Sequence, residues 1–303
     1  MNARRLQGFA LGIAATVIWG SFYPVSRYLF GRDAELFDEH FASFLRFLLA
    51  SFIFTPLLFT AKNRPLVKEA LKKSWLSLLL LGLIGITGEG VLLFIANKYT
   101  TAARASLMAN TTPIPTAILA YFFAGETLTR SQMAGLIIGL TGAFLAVVNQ
   151  GEDVFTLGAS TITGDLIAFV SGLFWAVFTV FGKEVTRRYG AANCMGIMYI
   201  VGVCSMIVIM LIAQSHVTFD LPLRVWAGLL YLGISGALAN CLWYGALKYI
   251  NSSELGSSSF IAALLAAGSS IIFLGEKVTP LFLLSAAAVV GGVFLVIRES
   301  SSK

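Results

Sequence analysis

Residues 125–128 read Gly-Glu-Thr-Leu, and 150 positions later residues 275–278 read Gly-Glu-Lys-Val. In the first part of each copy the offset is 156 instead, as Trp19 and Trp175 illustrate, so one connection of the second copy is six residues shorter. An internal repeat of this length sets the fold before any local motif does. The sequence therefore predicts two homologous halves, residues 1–150 and 151–303.

The composition is that of a membrane protein. Apolar residues make up 57% of the 303 residues and charged residues only 12%, whereas a soluble domain carries roughly 25% charged residues. A helix of about 20 apolar residues crosses the hydrocarbon core of a bilayer. We predict an all-α protein with ten such spans, at residues 7–28, 40–60, 75–97, 103–124, 131–149, 163–183, 194–213, 225–247, 255–274 and 280–298.

The basic residues predict how the chain is oriented. If the N-terminus is cytoplasmic, 14 of the 21 Lys and Arg residues fall in inner loops and 5 in outer loops. Cytoplasmic loops carry an excess of basic residues, so both termini are predicted to be cytoplasmic. Five spans per copy then make the second copy enter the membrane from the opposite side, which predicts inverted repeats. The net charge of +6 is explained by topology and requires no nucleic-acid partner.

The motifs give no support to an enzyme or a cofactor site. The only histidines, His40 and His216, lie in predicted outer connections, and the chain has no HExxH, GxSxG or P-loop pattern. The three cysteines lie within predicted spans without metal-ligand spacing. A channel would more often show a ring of like charges or a filter loop. We therefore expect no metal and no cofactor, and a carrier driven by a proton, ion or substrate gradient.

Several short motifs recur at matching places in the two halves. The first half carries Trp19-Gly20-Ser21-Phe22, Arg46-Phe47, the run 102–115 and residues 125–128, and the second repeats the last two at 252–258 and 275–278. On these motifs the chain resembles the EamA-type members of the drug/metabolite transporter superfamily, over roughly residues 8–297.

This resemblance implies a function as well as a fold. It implies two inverted five-helix repeats in a bacterial inner membrane, and most often an exporter of small metabolites such as amino acids, related amines or amphipathic organic compounds. Related members carry nucleotide sugars and triose phosphates. A uniporter, an exchanger or an importer of another small metabolite therefore stays open, with a channel or a membrane-embedded enzyme as the weaker alternatives.

Glu89 and Arg46 are ionisable residues within predicted spans, where charge is costly and often functional. The position equivalent to Glu89 in the second half is Ala239, so a fold requirement shared by both repeats does not explain it. A carboxylate in a low-dielectric setting is suited to exchange a proton or to hold an amine. Arg46 is predicted at a comparable depth, where it can pair with Glu89, bond exposed carbonyls or bind a substrate carboxylate.

Aromatic residues form a second group of candidates. Trp19 and Trp175 are predicted near mid-span, and Tyr23 shares the helical face of Trp19. Two tryptophans facing one cavity can stack on a planar or cationic substrate, and the alternative is packing against small residues of neighbouring helices. The eighth span adds a polar and aromatic patch of Asn240, Trp243 and Tyr244.

The fourth span carries a stripe of polar and small residues. Asn110, Pro113, Ala117 and Tyr121 follow at spacings of three, four and four, which places them on one helical face. Pro113 and Pro115 interrupt the hydrogen-bond ladder and free carbonyls near Asn110. Asn110 and Tyr121 are therefore candidates for substrate contact, with packing between helices as the alternative for Asn110.

Two further features are interpreted as structural. Each Gly-Glu pair, at 125–126 and 275–276, follows the fourth span of its repeat, where Gly ends a helix and Glu suits the start of the next. The fifth and tenth spans have close-packing surfaces of small residues, used either between the halves or in a homodimer; these are Gly135, Gly139, Gly142, Ala288, Gly291 and Gly292.

Overall fold

The computed structural model describes most of the chain. Its backbone is described for residues 3–22, 25, 38–100, 102–109, 111–149, 159–262, 264–265, 268 and 279–299. Within these ranges the side chains of residues 39, 93–94, 97–98, 102–104, 106, 149, 159–160 and 299 are not described. All statements below refer to these residues, which form helices and connections without any strand.

The first half of the chain contributes eight α-helices and one π-helical segment to the described structure. The π-helical segment, Gly82–Gly88, joins α4 to α5 within one long element. In chain order the helices are α1 (Ala3–Gly20), α2 (Glu39–Leu58), α3 (Arg64–Lys73), α4 (Trp75–Leu81), α5 (Glu89–Tyr99), α6 (Ala102–Ala109), α7 (Pro113–Ala124) and α8 (Arg130–Asn149).

The second half contributes five helices over its described residues. The longest of them, α9, has 31 residues. In chain order they are α9 (Ala159–Tyr189), α10 (Ala191–Ala213), α11 (Leu223–Ala246), α12 (Ser252–Ser257) and α13 (Pro280–Glu299).

Seven helical stretches of the described chain are long and apolar enough to cross a membrane. Each coincides with one of the ten predicted spans. They are His40–Leu58, Trp75–Leu92, Arg130–Val148, Thr161–Tyr189, Ala191–Ala213, Leu223–Ala246 and Pro280–Arg298. The remaining predicted spans, 7–28, 103–124 and 255–274, include positions outside the described residues. The prediction of a helical membrane protein is confirmed, and the total of ten spans stays a prediction.

Helices α8 and α13 lie side by side through the small residues noted in the sequence. A Cβ atom added to Gly292 would lie 2.6 Å from the carbonyl oxygen of Gly135, and one added to Gly142 would lie 2.9 Å from that of Ser285. These two contacts are related by the offset of 150 positions. The part of the small-residue surface around Gly135, Gly142 and Gly292 is thus occupied within one chain, and a homodimer, which stays a prediction, cannot use that part.

A second pair of contacts follows the same offsets. A Cβ atom on Gly8 would lie 2.9 Å from the Ile250 side chain, and one on Gly164 would lie 2.7 Å from Thr100. Gly8 and Gly164 differ by 156 positions, whereas Thr100 and Ile250 differ by 150. The repeat seen in the sequence therefore recurs in the contacts.

Throughout, the end of the bundle where α1 begins is called the amino-terminal end.

Local sequence explains where two of these elements begin and end. Asp38 lies before α2 and its carboxylate accepts hydrogen bonds from the backbone N–H groups of His40 and Phe41, at 2.8 and 3.3 Å, as an N-cap residue does. Gly125 ends α7 with φ of +65°, in the left-handed region that favours glycine. The interpretation of Gly125 as a helix terminator is confirmed.

Candidate substrate site

Three tryptophans from different helices meet in the interior. The ring centroids of Trp19 and Trp175 are 5.1 Å apart with an interplanar angle of 87°, and Trp243 lies 5.1 Å from Trp19 and 6.0 Å from Trp175. We call these three residues the tryptophan cluster. Trp19 and Trp175 contact each other directly, so in this conformation they do not flank an open cavity as the sequence had suggested. Both remain partly accessible, whereas Trp243 is buried.

Helices α9 and α11 hold the cluster in place through hydrogen bonds. The indole N–H of Trp243 donates to the Thr179 hydroxyl at 3.1 Å. The Tyr244 hydroxyl donates to the carbonyl oxygen of Phe178 at 2.5 Å, and the Phe178 ring packs 5.3 Å from that of Trp175. Tyr244 is fully buried. Its side chain therefore stabilises the cluster through Phe178 and does not line an accessible surface.

Glu89 begins α5 directly after the π-helical segment. Such segments are rare and often occur at functional sites because the extra residue per turn changes which face the following side chains occupy. The Ser171 hydroxyl of α9 donates to the Glu89 carbonyl oxygen at 3.0 Å. This bond places the Glu89 backbone beside Ser171, which lies one helical turn before Trp175 of the tryptophan cluster.

Arg46, Glu89, Tyr199 and Asn240 form what we call the polar group. A Cβ atom added to Gly90, the residue after Glu89, would lie 3.8 Å from a guanidinium nitrogen of Arg46, but Arg46 and Glu89 make no direct ion pair among the interactions described. The Arg46 guanidinium lies 5.0 Å from the centroid of the Phe47 ring. The Arg46 guanidinium thus lies beside the first turn of α5 without a direct bond to the Glu89 carboxylate, so both groups can contact a third one.

Asn240 is the member of the polar group that links it to the tryptophan cluster. Its Nδ2 atom donates to the Tyr199 hydroxyl at 2.7 Å, and it lies one helical turn from Trp243 on α11. Its Oδ1 atom is buried and has no hydrogen-bond partner in the described part of the molecule. Since an unpaired buried polar atom costs about 1–3 kcal/mol, this oxygen is suited to accept a hydrogen bond from a bound substrate.

The structure brings together seven of the ten predicted substrate-binding residues. These are Trp19, Arg46, Glu89, Trp175, Asn240, Trp243 and Tyr244. It places Tyr121 elsewhere: that side chain is 56% exposed and its ring contacts Phe122. Pro113 and Ala117 on the same face of α7 are buried, but the last turn of this helix, residues 121–124, is exposed on all sides. Tyr23 and Asn110 lie outside the described residues.

Two residues that make buried polar contacts were not among the candidates from the sequence. Tyr199 lies in an unbroken apolar segment of α10 and repeats no residue of the first half, so only contact with Asn240 reveals it. Glu126 was interpreted as a hairpin residue favouring the start of the next helix. Instead its buried carboxylate accepts hydrogen bonds from Ser252 and Ser253 in the other half, so that part of the interpretation was wrong.

A comparison with known protein families identifies the family of this chain. The profile of the EamA-like transporter family matches the chain twice, over residues 6–148 and 162–298. The chain belongs to this family. It is therefore a transporter and not an enzyme, and a multi-pass protein of the cell membrane.

Individual members of the family are similar along most of the chain. An uncharacterized transporter of Bacillus subtilis (strain 168) is 26% identical over 255 residues, 83% of this chain and 81% of the relative. An uncharacterized transporter of Archaeoglobus fulgidus is 32% identical over 261 residues, 85% of this chain and 87% of its own. A probable terminal-alkyne amino-acid exporter of Streptantibioticus cattleyicolor is 26% identical over 222 residues, 73% and 72% of the two chains.

One solved structure has the same fold. A crystal structure of a protein superposes with a TM-score of 0.81 and covers 99% of this chain and 98% of its own at 19% identity. At this identity the likeness establishes the fold and leaves the substrate open.

Proposed function

We propose that the EamA-family transporter described here exports small metabolites that carry an amino group, most simply amino acids or related amines, by alternating access. The observation that carries this proposal is the adjacency of the tryptophan cluster to the polar group. An acidic and a basic side chain lie next to aromatic rings and do not form a direct ion pair with each other. This combination suits a small molecule with an ammonium group, a carboxylate and an apolar part.

Each part of such a substrate has a matching group in the site. The Glu89 carboxylate suits the ammonium group, and Arg46 offers a bidentate donor to a carboxylate. The partly accessible rings of Trp19 and Trp175 suit the apolar part or the cation. The similarity to an exporter of an amino acid in Streptantibioticus cattleyicolor supports this class of substrate.

Glu89 is proposed to couple a proton to export. A proton and an ammonium group that compete for one carboxylate cannot both occupy it, and this competition links their fluxes. The Ser171 hydroxyl holds the backbone of Glu89, and this hydrogen bond does not depend on the protonation state of the carboxylate. An exchanger or a uniporter would need no such residue, and the two classes differ in their response to a pH gradient.

The orientation is also part of the proposal. We infer that the amino-terminal end faces the cytoplasm, because basic residues of α3 and of the end of α9 lie there; they are Arg64, Lys68, Lys72, Lys73 and Arg188. Arg188 pairs with Glu69 of α3, and Lys183 of α9 is connected through Glu126 to α12, which contacts Arg5 of α1. With five spans in each half, the two halves are proposed to have opposite orientations in the membrane. Reporter fusions at the C-terminus that are active only in the cytoplasm test this inference, and activity of a periplasmic reporter there would contradict it.

The experiment that tests the function has two steps. Purified protein is first screened by thermal shift against amino acids, amines and neutral analogues, because a ligand that binds the folded state raises its stability. Hits are then tested in proteoliposomes by counterflow, in which unlabelled substrate on one side drives accumulation of labelled substrate from the other. Accumulation of an amino acid or amine supports the proposal. Uptake without counterflow would indicate a channel, and hits confined to neutral or phosphorylated compounds would reject this substrate class.

A further inference from the structure

We propose that Glu126, Lys183 and the start of α12 form a latch that closes the amino-terminal end of the transport pathway and separates when the transporter opens at that end. The proposal rests on the alternating-access part of the proposed function and is independent of the substrate. Its basis is a set of contacts between the two halves of the chain.

The Glu126 carboxylate is the centre of the latch. One oxygen, Oε1, accepts from the Lys183 ammonium at 2.7 Å and from the backbone N–H of Ser252 at 2.9 Å. The other, Oε2, accepts from the backbone N–H and the hydroxyl of Ser253, at 3.1 and 2.8 Å. Glu126 comes from the first half, and all its partners come from the second. Four charge-assisted hydrogen bonds therefore join the halves at one point.

The latch is buried although it is ionic. Glu126 is 7% exposed and the Lys183 side chain 13%. Burial by itself would raise the pKa of Glu126, but the Lys183 charge and the N–H groups of Ser252 and Ser253 together lower it. The carboxylate is thus charged and fully paired while the contact is closed. Removal of either partner leaves a charge buried without compensation, which is strongly unfavourable.

A second ionic contact lies beside the first. The Arg5 guanidinium of α1 contacts the Glu254 carboxylate at 2.8 Å, and the Gln132 amide donates to the same oxygen at 3.5 Å. Glu254 also accepts from the backbone N–H of Asn251 and so caps its own helix. The first turn of α12 is therefore tied to α1 by an ion pair, and to the α7–α8 connection and α8 by hydrogen bonds.

The latched segment lies between the amino-terminal end and the tryptophan cluster. Beyond Glu254, Leu255 packs against Gly12 of α1, and the Ser258 hydroxyl is 3.2 Å from that of Thr16. Trp19 follows Thr16 by one helical turn. α12 and the residues after it thus pack against α1 as far as the turn that precedes Trp19. An approach to the cluster along α1 from this end requires the segment to move away.

The chemistry of the latch differs from that of the close helix contact between the halves. Where α8 meets α13, glycines bring the backbones into close contact, and any separation would lose packing along a whole helix. The latch instead consists of side-chain ions and helix-end N–H groups that water can solvate once they separate. A contact of this kind can open and close repeatedly, so the halves can pivot about the glycine contact.

The test measures how readily a buried position behind the latch reacts. In a variant with Cys194, Cys204 and Cys241 replaced by Ala, Ser258→Cys provides the reporter, because Ser258 is 3% exposed. The protein is placed in nanodiscs and treated with a charged, membrane-impermeant thiol reagent. Glu126→Gln and Lys183→Met should raise the reaction rate roughly tenfold, equivalent to ~1.4 kcal/mol of lost latch free energy. Ser253→Ala, which removes one bond, should raise it less.

Glu69→Gln is the matched control. Glu69 forms exposed ion pairs with Lys73 and Arg188 at the same end of the molecule, and its loss should leave the reporter rate unchanged. If all latch variants react at the rate of the parent reporter, and their Tm values show folded protein, the proposal is overturned and Glu126 is a purely structural residue. If Glu126→Gln does not fold, Lys183→Met and Ser253→Ala make the same comparison. Since the reporter needs no substrate, its result is independent of the substrate screen.

Discussion

Trp19 and Trp175 contact each other edge to face with ring centroids 5.1 Å apart, although 156 positions separate them in the chain. Because they occupy equivalent positions of the repeat, we interpret their contact as lying where the two halves meet. Any movement of one half against the other must change this contact. The candidate site therefore lies where substrate binding and conformational change can influence each other.

The three tryptophans should differ in what their loss does. Trp19→Leu should raise the KM for counterflow by roughly tenfold, since a lost aromatic contact with a cation is worth about 1–2 kcal/mol. Trp243→Leu should instead lower Tm, because Trp243 is 1% exposed and its N–H is bonded to Thr179. Counterflow and thermal unfolding measured on both variants make the comparison. Equal loss of Tm with no change of KM in Trp19→Leu would mean that Trp19 only packs.

The close contact between α8 and α13 predicts a sharp difference between two glycines. Gly142→Val should prevent folding or lower Tm strongly, because even a Cβ atom there would lie 2.7 Å from the backbone nitrogen of Val289. Gly291→Ala should be tolerated and even stabilise the helix by about 0.5–1 kcal/mol, since a Cβ atom at Gly291 meets nothing within 4 Å. Size-exclusion profiles and Tm values test this prediction. Similar behaviour of the two variants would contradict the packing described.

Much of the fold could be predicted because it follows from residue types and their positions along the chain. The length of the apolar segments reflects the thickness of the bilayer, and the repeat of Trp19 and Gly142 marks equivalent positions. Glu89 was recognisable because a carboxylate within a span is costly and has no equivalent in the other half. These signals depend on residue type and position alone.

The remaining features depend on contacts between distant segments. Tyr199 is an ordinary residue of an apolar helix until Asn240 bonds its hydroxyl. Glu126 has the local sequence of a helix connection, and only its approach to Ser252 and Ser253 reveals another role. Tyr121 shares a helical face with the buried residues Pro113 and Ala117, but residues 121–124 at the end of α7 are all exposed, and helical periodicity does not reveal where the packing around a helix ends.

The latch predicts how acid affects stability. The pKa of Glu126 in the folded protein is below its ordinary value of 4.5, so its contribution to the free energy of unfolding is present above that pH. The contribution is lost as the pH falls through the folded pKa. Tm of the parent should therefore fall more steeply than that of Glu126→Gln between pH about 5 and pH about 3. Parallel slopes for the two proteins in thermal melts would mean that the carboxylate gains nothing from its partners on folding.

The most direct measurement compares transport by the parent and Glu89→Gln in proteoliposomes, with and without a pH gradient. The account predicts that Glu89→Gln loses accumulation driven by the pH gradient while exchange of substrate at equal pH is partly retained. Glu69→Gln, which neutralises a carboxylate that is 40% exposed, should behave as the parent in both assays. Accumulation by Glu89→Gln that responds to the pH gradient as the parent does would contradict the proposed coupling.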